Sequence, residues 1–361
     1  MNVALVGLPL SGKTCVFDAI TEGAVDSASN PARADRPNAA QAAIPDERLD
    51  WLSAHYATQK RTPIQMEWVD LPGLTPGRSD LAAQNTAIME SLRRADALVI
   101  VLRAFENPSA PHPRGRVDAR ADLATLHAEF LISDLDVALR RIEKLEKSVL
   151  KPSADREANK KELEILERCR VALEAEKPVH TVMQNDREKA IIRGFCFLTE
   201  KPSVIILNVG EEAAANPEAA TEAYKDLGVP AFAMCASLEA EISKLPAADR
   251  PEFMKEMGLA RLHGGDILKG VYAALGRILY FTAGEKEVAA RSIPAGSNAC
   301  EAAGAVHTDM AKGFIRAEVV AYEDFKRAGG LKEARTAGTL HLEGRDYIVK
   351  DGDVMLFHFS R

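Results

Sequence analysis

Near the start of the chain, GLPLSGKT (Gly7 to Thr14) sets two glycines, a lysine and a hydroxyl at the spacing G-x-x-x-x-G-K-[ST]. Glycines let successive backbone N–H groups turn toward one centre, where phosphate oxygens can be held. A lysine there neutralises the β- and γ-phosphate charge, and a hydroxyl ligates magnesium (Mg2+). The loop lies between an apolar run, NVALVG (2–7), and an apolar-periodic stretch from Lys13 to Ile20. That is the order strand, loop, helix, and this context separates a phosphate-binding loop from a chance glycine turn. The candidate phosphate contacts are Leu10, Ser11, Gly12, Lys13, Thr14 and Cys15. Lys13 is read as a solvent-facing charge whose partner is the ligand and which also serves the chemistry.

Two further strand candidates end on residues that complete such a site. IQMEWVDLPG (64–73) closes on D-x-x-G. At a strand end downstream of a phosphate loop, Asp70 would hold magnesium through water and the Gly73 amide would sense the γ-phosphate. VIILNVGE (204–211) ends in Asn208 and, three residues later, Glu211, where N-K-x-D would read guanine. The lysine is here Val209. An aspartate accepts hydrogen bonds from guanine's ring N–H and exocyclic amine; Glu211, one methylene longer, does not reproduce that fork. Asn208 can contact a base edge, and Val209 can pack on the base or offer its backbone. MCAS (234–237) sits where a last base-contacting loop is expected, with Ala236 and Ser237 offering backbone.

The elements that must position these residues follow from composition and periodicity. A chain of 361 residues suggests two or three domains. An apolar fraction of 47%, with 27% charged residues, is that of a soluble globular protein. The net charge of −7 argues against coating nucleic acid by charge alone, and sequence-specific DNA binding is not expected. Five cysteines, odd in number and without metal-ligand spacing, read as reduced thiols. MNVALVGL lacks a basic leader, and runs such as ALVIVL (97–102) are too short to span a bilayer. A cytoplasmic protein without a membrane anchor is expected.

Apolar runs alternating with helical patterns predict a parallel sheet covered on both faces. Leu131, Leu135, Ala138, Ile142, Leu145 and Val149 recur at three- and four-residue spacing, as do Leu163, Leu166, Cys169 and Leu173. With KPSADRE between them, they predict an antiparallel helical hairpin over 119–200, partly coiled-coil, inserted in the nucleotide domain. After about 278 the alternation in GTLHLEGRDYIVKDGDVMLFHFSR predicts a small mixed sheet. The expected class is α/β, with the nucleotide domain at 1–118 plus 201–277, the arm at 119–200 and a C-terminal domain at 278–361. No internal repeat is apparent.

The ordered series GLPLSGKT, DLPG, NVGE, EFMKEMGL (252–259), YFTAGEKEV (280–288), HTDMAKGFIRAEV (307–319) and GRDYIVKDGDVMLFHF (344–359) resembles the YchF/Obg-like ATPase family over essentially the whole chain. The resemblance implies a P-loop GTPase-like domain, a helical arm and a C-terminal β-grasp domain of the TGS type. It also implies magnesium-dependent ATP hydrolysis, ribosome association, and adenine as the base beside Asn208 and Glu211. The chain departs from the family in places. Leu10 replaces an asparagine. RADRPNAA (33–40) puts Ala34 where a magnesium-binding threonine is expected. LTPGRSDLAAQN (74–85) is poorer in glycine. Leu74 cannot orient a water, and the resemblance moves that role to a loop histidine, here His112 in FENPSAPHPRGRVD (105–118). His307, Thr308, Arg316, Tyr347 and Asp353 read as structure or partner contacts. The leading expectation is a magnesium-dependent ATPase switch on ribosomal particles. The alternative is a nucleotide-binding scaffold with weak or lost hydrolysis, and a GTPase is disfavoured.

Overall fold

The computed structural model describes residues 1–25, 31–32, 36–152 and 154–360. The chain divides into two compact units, one of residues 1–41 with 67–264 and the other of 42–66 with 265–361. In chain order, β1 (Asn2–Val6), α1 (Lys13–Ile20), β2 (Asn38–Ala43), α2 (Glu47–His55), β3 (Arg61–Thr62), β4 (Gln65–Asp70), α3 (Ala82–Arg94) and β5 (Ala97–Ala104) come first. There follow α4 (Ala119–Val149), α5 (Arg156–Glu174), α6 (Asp186–Arg193), β6 (Ser203–Val209), β7 (Ala231–Met234) and α7 (Ala236–Lys244).

The first sheet runs β2-β4-β1-β5-β6-β7, and β4, β1, β5, β6 and β7 pair in parallel. Its central strand, ALVIVLRA, is buried from Ala97 to Arg103, as a strand covered on both faces must be. Parallel pairing sends the chain out at the same edge each time. The loops after β1, β4, β5 and β6 therefore meet at the carboxyl ends of the strands, where ligands bind in such sheets.

The predicted hairpin is α4 and α5, with Ala138, Ile142, Leu145, Leu166, Cys169 and Leu173 buried in one apolar cluster. Beyond α5 the chain does not continue as an arm helix. It folds back through short turns and α6, so that Val179, Ile192 and Phe197 close the cluster. The root of the arm is fixed by Asp134 of α4, which is fully buried. Its carboxylate accepts from the Leu198 and Thr199 amides, both at 2.9 Å, from the Thr199 hydroxyl at 2.8 Å and from Arg93 Nη1 at 2.7 Å.

The second unit is a mixed sheet in the order β11-β10-β12-β8-β9-β3, with β8 (Arg277–Ala283), β9 (Val288–Pro294), β10 (Phe314–Ala321), β11 (His341–Glu343) and β12 (Asp353–Phe359). An antiparallel β8–β9 hairpin leads to a helix over Ala299–Val306, closed at its start by an Asn298/Glu301 capping box. The last strand lies antiparallel to β10 and parallel to β8, the β-grasp order. Tyr347 donates to Asp353 Oδ2 at 2.9 Å and so braces the final turn.

This partition differs from the sequence division, which left 42–66 in the nucleotide domain. β3 pairs in parallel with β9. Trp51 of α2 meets the Tyr322 and Phe325 rings edge-on at 5.9 and 6.2 Å. Arg48 bonds Asp351 at 2.8 Å. These partners lie far along the chain, so local pattern could not reveal them. Among the described residues, no helix is long and apolar enough to cross a membrane.

Removing one member of a buried, fully bonded ion pair leaves the other uncompensated. Asp134→Ala is therefore expected to lower stability by about 3 kcal/mol, and Asp134→Asn by less, in chemical denaturation. A loss of under about 0.5 kcal/mol for the alanine variant would contradict this view of the arm's root.

Candidate nucleotide-binding site

The loop after β1 is shaped by sterics before any ligand arrives. A Cβ on Gly7 would sit 2.4 Å from the Val101 carbonyl oxygen. Gly12 has φ +87°, and a Cβ there would sit 2.0 Å from Asn208 Nδ2, so both conformation and space demand glycine. Leu10 is also left-handed, at φ 62°, with its side chain half exposed. Asparagine, expected here from the resemblance, tolerates this region better than leucine does.

Lys13 corrects the sequence reading. Its side chain is buried, not solvent-facing, and Nζ donates to the carbonyls of Leu8 at 3.2 Å and Gly7 at 3.4 Å. Burial lowers its pKa to about 8, against a smaller opposing pull from the Asp70 carboxylate. The Thr14 hydroxyl donates to Asp70 Oδ2 at 2.9 Å. Among the described residues, buried Asp70 Oδ1 and Ser11 Oγ have no hydrogen-bond partner. Burial raises the Asp70 pKa, while the Thr14 hydrogen bond and Lys13 pull it down.

A lysine bonded only to carbonyls, a carboxylate oxygen without a donor and a free hydroxyl suit a phosphate chain with a hard divalent cation. Thr14 and Asp70 are the side chains that could hold the metal. No group of three or more His, Cys, Asp or Glu among the described residues could do so alone, so phosphate and water oxygens would have to complete the shell.

The other predicted residues are placed as follows. A Cβ on Gly73 would lie 2.6 Å from Pro9 N, so the DLPG turn is packed on the phosphate loop. The Leu74 amide donates to the Gly7 carbonyl at 3.0 Å, and its side chain is wholly buried, unable to orient a water. The Cys15 thiol is exposed on the first turn of α1. Asn208 is buried; Nδ2 donates to the Ser11 carbonyl at 3.1 Å, and Oδ1 accepts from the Ala236 amide at 3.1 Å. Its first task is thus to join two loops, and the Ala236 amide is engaged with it rather than offered to a base. The Val209 side chain lies in the apolar core, leaving only its backbone toward a ligand. Glu211 and Ser237 are exposed. Ala34 lies outside the described residues.

His112 is buried, with Nε2 2.9 Å from Asp122 Oδ2 and Nδ1 accepting from the Arg114 amide at 3.2 Å. The amide requires an unprotonated Nδ1, so the ring donates from Nε2 to Asp122. Both ring nitrogens are therefore engaged within the protein in this conformation. Sequence reasoning passed over Arg103, near the end of β5, and Phe105, just beyond it beside the loop. The Phe105 ring lies 4.0 Å from the position of a Gly12 Cβ. The available signal was one arginine within the apolar run VIVLRAF.

Known proteins resemble this chain along most of its length. A family model described as a 50S ribosome-binding GTPase matches residues 2–209, and a YchF-GTPase C-terminal model, described as a protein of unknown function, matches 278–360. The ribosome-binding ATPase YchF of Escherichia coli O157:H7 is 38% identical, over 99% of this chain and 98% of its own. The chain belongs to the YchF/Obg-like ATPase family. Obg-like ATPase 1 of Caenorhabditis elegans is 31% identical over 100% of this chain and 92% of its own. The solved structure of the Schizosaccharomyces pombe YchF GTPase superposes with a TM-score of 0.84 at 29% identity, covering 99% of this chain and 97% of that one.

Two measurements test the loop. Leu10→Asn should raise stability by about 1 kcal/mol by relieving the left-handed leucine; a variant no more stable than the parent would argue against strain there. Lys13 sets a pH dependence. Its folded pKa of about 8 lies below the ordinary 10.5, so unfolding the free protein takes up a proton between those values. Stability contributed through Lys13 is therefore lowest below about pH 8 and recovers toward 10.5. Phosphate restores the ammonium, so binding near pH 8.5 should take up roughly half a proton or more. Calorimetry in buffers of different ionisation enthalpy reads this directly; the uptake should shrink toward pH 7, and an uptake unchanged between pH 7 and 8.5 would contradict it.

Proposed function

We propose that this protein is a magnesium-dependent ATPase whose nucleotide-bound form docks on the ribosome, working in the cytoplasm. The observation that carries the reading is Lys13: a buried ammonium, bonded to its own loop's carbonyls, beside the unpartnered Oδ1 of Asp70. ATP supplies what each lacks. Loop amides and Lys13 hold the β- and γ-phosphates, and Thr14 and Asp70 hold the cation. Magnesium, when bound, neutralises charge on the transferring phosphoryl group. Gly73, packed on Pro9, couples the γ-phosphate to the segment that follows it.

Adenine is favoured over guanine because Val209 removes the lysine of N-K-x-D and Glu211 cannot form the two-pronged contact with guanine. The relatives named ribosome-binding ATPase support both the nucleotide and the partner. The arm over 119–200 and the C-terminal residues 278–361 supply the contact surfaces, since neither holds chemistry of its own.

Hydrolysis needs a group to orient water. With Leu74 in the core, His112 takes that role once the 105–118 loop moves and the Asp122 contact breaks. The same contact favours a second reading, a nucleotide-responsive scaffold with little hydrolysis, if the loop stays closed.

Titration with ATP and GTP, followed by single-turnover hydrolysis, tests the reading. ATP should bind at least tenfold tighter, a difference of about 1.4 kcal/mol. Lys13→Ala should lose binding, and His112→Ala should slow hydrolysis while leaving ATP affinity within twofold. Tighter binding of GTP would sink the ATPase assignment, and parent-like hydrolysis by the His112 variant would remove that residue from the mechanism. Deleting 278–361 should weaken co-sedimentation with ribosomes without loss of ATP binding.

A further inference from the structure

Arg103 is almost wholly buried, at 1% exposure, on the central strand of the first sheet. Its Nε donates to the Phe105 carbonyl at 3.1 Å, Nη1 reaches the Leu10 carbonyl at 3.5 Å, and its guanidinium carbon stands 4.5 Å from the centre of the Phe105 ring. Nη2 is buried and has no partner. Among the described residues, no carboxylate pairs with this cation, whereas the half-buried Arg48, Arg93 and Arg168 each have one. A buried guanidinium bonded only to carbonyls and an aromatic face is left without a counter-ion, which is an unfavourable state.

Its location says where the counter-charge comes from. Arg103 stands in register with Asn208 on the neighbouring strand. Asn208 holds the Ser11 carbonyl, and Arg103 reaches the Leu10 carbonyl one residue earlier. Because a peptide unit is planar and trans, drawing the Leu10 oxygen toward Arg103 turns the Ser11 N–H the opposite way. That amide makes only a long contact, 3.4 Å to the Leu8 carbonyl, and so can be redirected to a ligand.

We infer that Arg103 is a positioning residue for the phosphate loop and that the phosphate chain of a nucleotide supplies its missing counter-charge. This rests on the nucleotide reading of GLPLSGKT. Through Leu10, Arg103 holds the left-handed turn from which the Ser11 amide, only weakly held by the Leu8 carbonyl, can be released to a phosphate oxygen. Its uncompensated charge makes the empty loop electrostatically unfavourable and the filled loop favourable. Arg103 thereby converts phosphate binding into order at the ends of β5 and the loop.

Arg103→Met keeps much of the bulk and removes the charge, and it separates this role from ordinary packing. The variant should melt at or above the parent when nucleotide-free, bind ATP and ADP about tenfold more weakly, and show an ATP-induced rise in Tm at most half the parent's. Arg103→Lys, which keeps the charge without the fork, should recover part of the affinity. A nucleotide-free Arg103→Met that melts lower than the parent, with ATP affinity and the ATP-induced rise unchanged, would overturn the inference and leave Arg103 a packing residue. Lys13→Ala, titrated in parallel, separates the two levels. If it loses ATP while Arg103→Met binds like the parent, this inference alone fails; if Lys13→Ala still binds ATP, the nucleotide reading of the loop fails.

Discussion

Asn208 joins segments that are remote in the chain: Nδ2 holds the Ser11 carbonyl and Oδ1 takes the Ala236 amide. With the amide group buried, both bonds must be made, since an unpaired amide in the interior costs about 1–3 kcal/mol. The constraint propagates outward. A side chain at Gly12 would collide with Nδ2, so the residue before Lys13 can only be glycine. That glycine then lets the loop turn into α1, with Lys13 folded beneath it and Thr14 facing Asp70. The loop, the DLPG turn and the start of α7 are in this sense one hydrogen-bonded construction.

Charge within that construction is deliberately unfinished. Lys13 and Arg103 are buried cations whose hydrogen bonds go to carbonyls, and Asp70 keeps one oxygen without a donor. At Asp134, in the same unit, buried charge is instead closed off, with four hydrogen bonds accepted at the root of the arm. The contrast separates a site from a strut. Satisfied charges hold elements in place; unsatisfied ones await a ligand that carries the opposite sign.

The same distinction bears on His112. Its ring is satisfied on both sides, by Asp122 and by the Arg114 amide. A histidine so tied is structural until the loop bearing it moves, so any part in hydrolysis is a conformational event as well as a chemical one. The two flanking prolines limit how that loop can rearrange.

Much of this was legible in the chain itself. The phosphate loop, the DLPG strand end and the four core strands follow from local pattern, because apolar periodicity and glycine spacing are dictated by backbone geometry. The arm's apolar stripe from Ala138 to Leu173 was legible for the same reason. Tertiary structure alone decided the rest. It buried Lys13, turned Val209 into the core, committed Asn208 to two loops, set Leu10 in a left-handed turn and tied His112 to Asp122. It also handed residues 42–66 to the second unit through Trp51, Tyr322 and Phe325. Each of these outcomes depends on how the chain packs, through a partner outside the local pattern or a backbone angle fixed by its surroundings. Burial and hydrogen-bond partnership are properties of the assembled fold, and a residue's type fixes what it can bond but not what it will meet.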